Sequence, residues 1–72
     1  YPEGLRERQI PLGARILSVV DAWESMTRGR PYRPPVPPEQ AVEELRRESG
    51  RQFDPDVVAA FLRVLARDAF AP

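Results

Sequence analysis

Apolar residues recur at helical intervals in three stretches of the chain, and proline or glycine marks the edges of each. The first stretch predicts a helix from about Pro11 to Thr27. On a helical wheel, Leu12, Ile16, Val19, Val20, Trp23 and Met26 fall on one side. Pro11 suits the first helical position, where its missing N–H is not needed, and Gly29 suits the C-terminal end. The second helix spans Pro38 to Ser49. Its buried stripe is thin (Ala41, Val42, Leu45), and Gly50 ends it. The third opens at Phe53-Asp54-Pro55, with Asp54 as N-cap, Pro55 as first helical residue and Phe53 stapled onto Val58. Val58, Phe61, Leu62 and Leu65 form its stripe, widened by Val57 and Val64. No strand pattern and no repeat interrupts this reading, so the predicted fold is all-α.

Two segments lie outside the helices. Residues 1–10 are polar, carry Pro2 and Gly4, and predict a turn and loop. Residues 28–38 hold five prolines and predict an extended, stiff connector.

Composition narrows the chemistry. The 72 residues carry no net charge and include no Cys, His, Lys or Asn. Disulfides and thiolate metal sites are therefore ruled out, and so are the commonest metal ligand and the commonest general base. All eleven basic residues are arginine. The balanced charge argues against a general surface for nucleic acid polymers. The longest apolar-rich window, Ile16 to Trp23, is broken by Ser18 and Asp21. It falls short of the roughly 18–20 residues a membrane helix needs, so neither membrane insertion nor a secretory leader is predicted, and a cytoplasmic location is expected. Apolar burial and conformational entropy at this length nearly cancel, at roughly 110 kcal/mol each, so an isolated monomer is expected to be marginal and association to help it. The opening at Tyr1-Pro2, without a starting Met, reads as the cut end of a longer chain.

Two features carry candidate chemistry. Asp21 falls opposite the apolar side of the first helix, with Ala14, Ser18, Ser25 and Arg28 around it and Glu24 at the edge. On periodicity alone it faces water, and Glu24–Arg28 forms a surface pair. The strip Ala14, Ser18, Asp21, Ser25 is small-sided, however, which suits close approach by another segment or a bound ion. The second feature is Arg28-Gly29-Arg30-Pro31-Tyr32-Arg33, with three arginines and a tyrosine just past a helix end. Taken alone it reads as a solvated loop or as partners for nearby carboxylates, although guanidinium forks on a stiff loop also match phosphate geometry. Glu43, Glu44, Arg46 and Arg47 read as an exposed charged face, and Trp23, Phe53 and Phe61 as core.

In order along the chain stand Tyr1-Pro2, Gly4-Leu5, Ile10-Pro11-Leu12, Ala14-Arg15-Ile16-Leu17, Val20-Asp21-Ala22, Arg30-Pro31-Tyr32-Arg33 and Gln52-Phe53-Asp54-Pro55. Together these blocks resemble the C-terminal third of the HD-GYP domain, over nearly the whole chain. The opening Tyr-Pro resembles the last two letters of that family's Gly-Tyr-Pro signature. The resemblance implies that residues 1–72 are the C-terminal part of one incomplete domain, a three-helix fragment of an HD-superfamily helical bundle. It implies a parent enzyme that hydrolyses cyclic di-GMP in bacterial signalling. The implied chemistry is metal-activated hydroxide attacking a phosphodiester, at a centre of two or three ions, often iron or manganese.

Residue by residue, the resemblance implies that Asp21 ligates a metal, which reverses the reading from periodicity. It implies that Arg30 and Arg33 contact substrate phosphates and that Tyr1 and Pro2 shape the substrate pocket. Arg33 stands where lysine is common, Glu24 where aspartate is usual and Ser25 where alanine is usual. The family's His-Asp pair and other histidine ligands would lie before Tyr1. No catalytic residue is therefore assigned in this fragment, no metal is expected to bind it alone, and it is expected to be inactive and to self-associate through an uncovered apolar face. The competing expectation is a degenerate HD-type domain that has lost catalysis and binds a ligand or protein.

Overall fold

The structure, a computed structural model, describes residues 10–70. Three helices follow one another: α1 (Leu12–Arg28), α2 (Pro38–Glu48) and α3 (Pro55–Phe70). The described residues contain no strand, so the all-α reading holds. Each helix packs on the other two.

The helix boundaries follow local chemistry. Pro11 is the N-cap of α1 rather than its first helical residue, one position off the sequence expectation. Its extended ψ of 144° starts the helix, and its carbonyl accepts the Arg15 N–H at 3.1 Å. Gly29 closes α1 at a φ of 82°, a left-handed conformation that glycine adopts without Cβ strain. Pro38 opens α2, with Glu39 in the first turn and Arg46 and Arg47 in the last, each sign placed favourably against the helix dipole. Beyond α2, the Glu48 carbonyl accepts the N–H groups of Arg51, Gln52 and Phe53. That carbonyl anchors a tight reversal that turns the chain back into α3.

Asp54 starts α3 as expected. Its Oδ1 accepts the N–H of Asp56 at 2.7 Å and of Val57 at 3.2 Å, satisfying two of the donors that a helix start leaves open. Phe53, the residue before the cap, is buried in one cluster with Val58, so the staple forms.

The connector departs from the extended form expected of it. Arg30 and Arg33 exchange backbone hydrogen bonds of 2.8 and 3.0 Å, which folds Arg30-Pro31-Tyr32-Arg33 into a tight turn. The Val36 N–H donates to the Met26 carbonyl at 2.8 Å and ties the turn to the end of α1. Proline excludes helix here, but it fits a turn as readily as an extended run.

The core is small. Val19, Leu45, Phe53 and Val58 form its buried centre, with Trp23, Met26, Phe61 and Leu62 packed around them. Trp23 and Phe61 meet edge to face, ring centroids 5.7 Å apart. This core engages the middle and C-terminal half of α1. Toward the N-terminus the apolar side is uncovered: Leu12 is 56% exposed and Ile16 43%. On α3, Val64 is likewise 52% exposed. Between them lies an open apolar cleft of about 490 Å³.

Burial ranks the cost of truncation. Leu45 is fully buried at the meeting point of the helices. Leu45→Ala is expected to destabilise the chain by about 2–4 kcal/mol through lost transfer energy and a cavity, whereas Val64→Ala costs under about 1 kcal/mol. Urea denaturation followed by far-UV circular dichroism measures both; equal costs would contradict this core.

Candidate functional site

The C-terminal half of α1 and the turn behind it build a shallow polar hollow of about 280 Å³, lined by Asp21, Glu24, Ser25, Arg28, Gly29 and Arg30. Asp21 and Arg28 lie seven positions apart on α1, which brings them to the same side two turns apart. Arg30 joins them only because the chain reverses after Gly29. Its Nε–H donates to the Ser25 hydroxyl at 2.7 Å, laying the guanidinium back along α1. Arg28 is engaged by Glu24 at 3.5 Å, the surface pair that the sequence predicts.

The expected site residues separate into three groups. Asp21 and Arg30 come together in the hollow, and both are exposed. Arg33 is exposed on the same turn, where its backbone pairs with Arg30, but it does not line the hollow. Tyr1 and Pro2 lie outside the described residues. Tyr32 between the arginines is 91% exposed and supports no packing.

Can these residues hold a metal? Among the described residues there is no group of three or more carboxylate or other metal-binding side chains. A catalytic metal needs about three protein ligands. The described residues therefore do not fit a complete metal centre. No described helix is long and apolar enough to cross a membrane.

Two contacts escaped the sequence reading. The first is Ser25–Arg30, which depends on the turn at 30–33 and so on a reversal read as extended chain. The second is an ion pair between the partly exposed Arg15 and the buried Asp54 at 2.5 Å. Both residues stand in blocks singled out on sequence, but nothing in the spacing joins positions 39 apart.

The family model for the HD domain matches residues 1–57, well over half of the chain. The chain belongs to the HD domain family. This HD-domain chain is 44% identical over 64 residues to a cyclic di-GMP phosphodiesterase of Thermotoga maritima. It is 41% identical over 63 residues to the cyclic di-GMP phosphodiesterase response regulator RpfG of Xanthomonas campestris pv. campestris. A 3′3′-cGAMP-specific phosphodiesterase 2 of Vibrio cholerae is 36% identical over 62 residues. The matches cover 89%, 88% and 86% of this chain, but only 17%, 17% and 12% of those proteins. The HD-domain chain thus spans about a sixth or less of the length of these curated relatives. No solved structure matches it significantly.

The turn that presents Arg30 depends on Gly29. A Cβ there would sit 2.9 Å from the Pro35 ring and 3.1 Å from the Arg33 carbonyl, at a positive φ. Gly29→Ala is expected to destabilise by about 1–3 kcal/mol. Gly13, in the first turn of α1, has nothing within 4 Å of its would-be Cβ, so Gly13→Ala is expected to stabilise by about 0.5 kcal/mol. Thermal unfolding of the two variants reads out the opposite signs.

Proposed function

We propose that the chain is the C-terminal part of an HD-GYP-type domain in a metal-dependent phosphodiesterase that hydrolyses cyclic di-GMP. The observation that carries the reading is the pairing of Asp21 with Arg30 in one polar hollow. A carboxylate beside a guanidinium suits a phosphodiester that bridges a cation and an anion-binding fork. The relatives' names support the same substrate class, since they include enzymes for cyclic di-GMP and for 3′3′-cGAMP. Both are cyclic dinucleotides joined by phosphodiesters.

In this reading Asp21 supplies one metal ligand, and the remaining ligands come from other parts of the parent protein. A divalent metal centre, iron or manganese, would when bound supply charge stabilisation at the phosphoryl oxygens and an activated water, with Asp21 among the residues that hold it. Arg30 binds a substrate phosphate. Its Nε is held by Ser25, which leaves the outer edge of the fork for two oxygens. Arg33, on the other arm of the turn, takes a second phosphate contact, and Tyr1-Pro2 shape the pocket. Net reaction is addition of water across one P–O ester bond of the ring.

The isolated chain lacks a full ligand set in this reading and is inactive. Its uncovered face at Leu12, Ile16 and Val64 drives self-association. Sedimentation at rising concentration is expected to show dimers or larger species, and a strict monomer throughout would contradict that.

The full-length protein tests the site. Asp21→Ala is expected to reduce bound metal and lower hydrolysis of cyclic di-GMP by about a thousandfold or more. Arg30→Ala is expected to raise KM by about ten- to a hundredfold with metal content unchanged. Normal metal content and normal kinetics in both variants would sink the assignment. Wild-type protein that binds cyclic di-GMP but neither takes up metal nor hydrolyses the ligand when iron or manganese is supplied would instead favour the degenerate, ligand-binding domain.

A further inference from the structure

The run from Arg28 to Arg33 holds three arginines, and the functional reading gives phosphate roles to Arg30 and Arg33. The structure groups them differently. Arg28 lines the polar hollow together with Asp21 and Arg30, and Arg33 does not. Arg28 and Arg30 are also held in parallel ways. Each is engaged at Nε by one of two successive residues of α1: Arg28 by the Glu24 carboxylate at 3.5 Å, Arg30 by the Ser25 hydroxyl at 2.7 Å. Among the described residues no further hydrogen bond or ion pair engages either guanidinium, so the terminal edges, which match a pair of phosphate oxygens, are open to a ligand. Surface pairing by itself accounts for the contact of Glu24 with Arg28. It does not account for the reversal after Gly29 that brings Arg30 into the same hollow.

Charge separates the two roles. Four charged side chains line the hollow: Asp21, Glu24, Arg28 and Arg30. In the functional reading Asp21 is committed to the metal. Of the rest, Arg28 is offset by Glu24, whereas Arg30 is held by a neutral hydroxyl and keeps its whole charge. One uncompensated guanidinium matches an intact phosphodiester, which carries one negative charge. Hydrolysis adds a second. Water loses a proton to solvent as its oxygen bonds to phosphorus, and the phosphoryl oxygens take on the added charge. The ester P–O bond then breaks, its electron pair leaves with the ribose oxygen, and that oxygen takes up a proton from solvent. The Arg28 side chain is 79% exposed and its ion pair is long, so little holds it to Glu24 when a stronger anion forms nearby.

We propose that Arg28 is a catalytic residue of the phosphodiesterase site, turning from Glu24 to the phosphoryl oxygens as the second negative charge develops there. The proposal rests on the functional reading above. An interaction made only in the transition state raises kcat and leaves KM nearly unchanged. Arg30 binds the intact diester, and Arg28 answers the charge that the reaction creates.

The test uses the full-length, metal-loaded protein as wild type, Arg28→Ala and Arg28→Lys. Arg28 is exposed and outside the core cluster, so both variants keep the fold. Arg28→Ala is expected to lower kcat for cyclic di-GMP by about thirtyfold or more, with KM within about twofold and metal content unchanged. Lysine keeps the charge without the fork, and Arg28→Lys is expected to lower kcat by less than about tenfold. A second measurement needs no turnover. Inorganic phosphate, a dianion at about pH 8, and dimethyl phosphate, a monoanion, are titrated against the arginine Nε–H signals by NMR. Arg28→Ala is expected to weaken phosphate binding by about tenfold and dimethyl phosphate binding by less than about twofold. An unchanged kcat, or a raised KM with kcat intact, overturns the catalytic role. Equal weakening of both anions, or a wild type that binds neither at the hollow, overturns it as well. If the wild type fails to hydrolyse cyclic di-GMP, the functional reading falls, and the comparison of the two anions still decides whether Arg28 answers a second charge.

Discussion

One buried carboxylate, Asp54, sets both where α3 begins and how it meets α1. One oxygen closes the open N–H groups of the third helix, and the other receives the Arg15 guanidinium from the first. Buried charge is destabilising when left alone, so such a group specifies its surroundings: any packing that separates Arg15 from Asp54 strands a charge in a low-dielectric interior. The apolar centre supplies most of the cohesion but little direction. Val19, Leu45, Phe53 and Val58 could slide against one another at modest cost, whereas an ion pair with angular demands cannot.

This constraint divides the long first helix into two regions with different tasks. Its C-terminal half is packed on one side by the core and carries Asp21 and Ser25 on the other, where the reversed turn brings Arg30 alongside. Its N-terminal half keeps an apolar side that neither α2 nor α3 covers. A helix covered along only half its length fits a chain that spans a small share of its relatives. The polar hollow is incomplete in the same sense. It gathers two carboxylates, Asp21 and Glu24, and two arginines, Arg28 and Arg30, which is fewer ligands than a metal centre needs.

The helices were legible in the sequence because each is marked twice, by apolar spacing and by its punctuation. Asp54-Pro55 announces α3 through cap chemistry that is purely local, and Gly29 announces the end of α1 in the same way. The exposed charged pairs Glu24–Arg28 and Glu43–Arg46 follow from helical spacing alone. The turn at Arg30–Arg33 was not legible, because proline fixes φ without deciding between a reversal and an extended run. The Arg15–Asp54 pair was hidden for a different reason: its partners are brought together by the packing of two helices, and no local rule reports that. Asp21 shows the limit on the functional side. Periodicity places it facing water, and in the structure it is exposed, as a ligand to a metal shared with other segments would also be. Only the family resemblance distinguishes the two.

The central claim is that the Asp21 carboxylate is one ligand of a metal centre completed elsewhere in the parent protein. Anomalous diffraction from crystals of the full-length, metal-loaded protein tests it directly. The predicted result is an anomalous peak about 2.0–2.4 Å from an Asp21 carboxylate oxygen, with the Arg30 guanidinium facing the same cavity. A metal centre more than about 5 Å from Asp21, beyond coordination distance, with that carboxylate turned to bulk water, would contradict it.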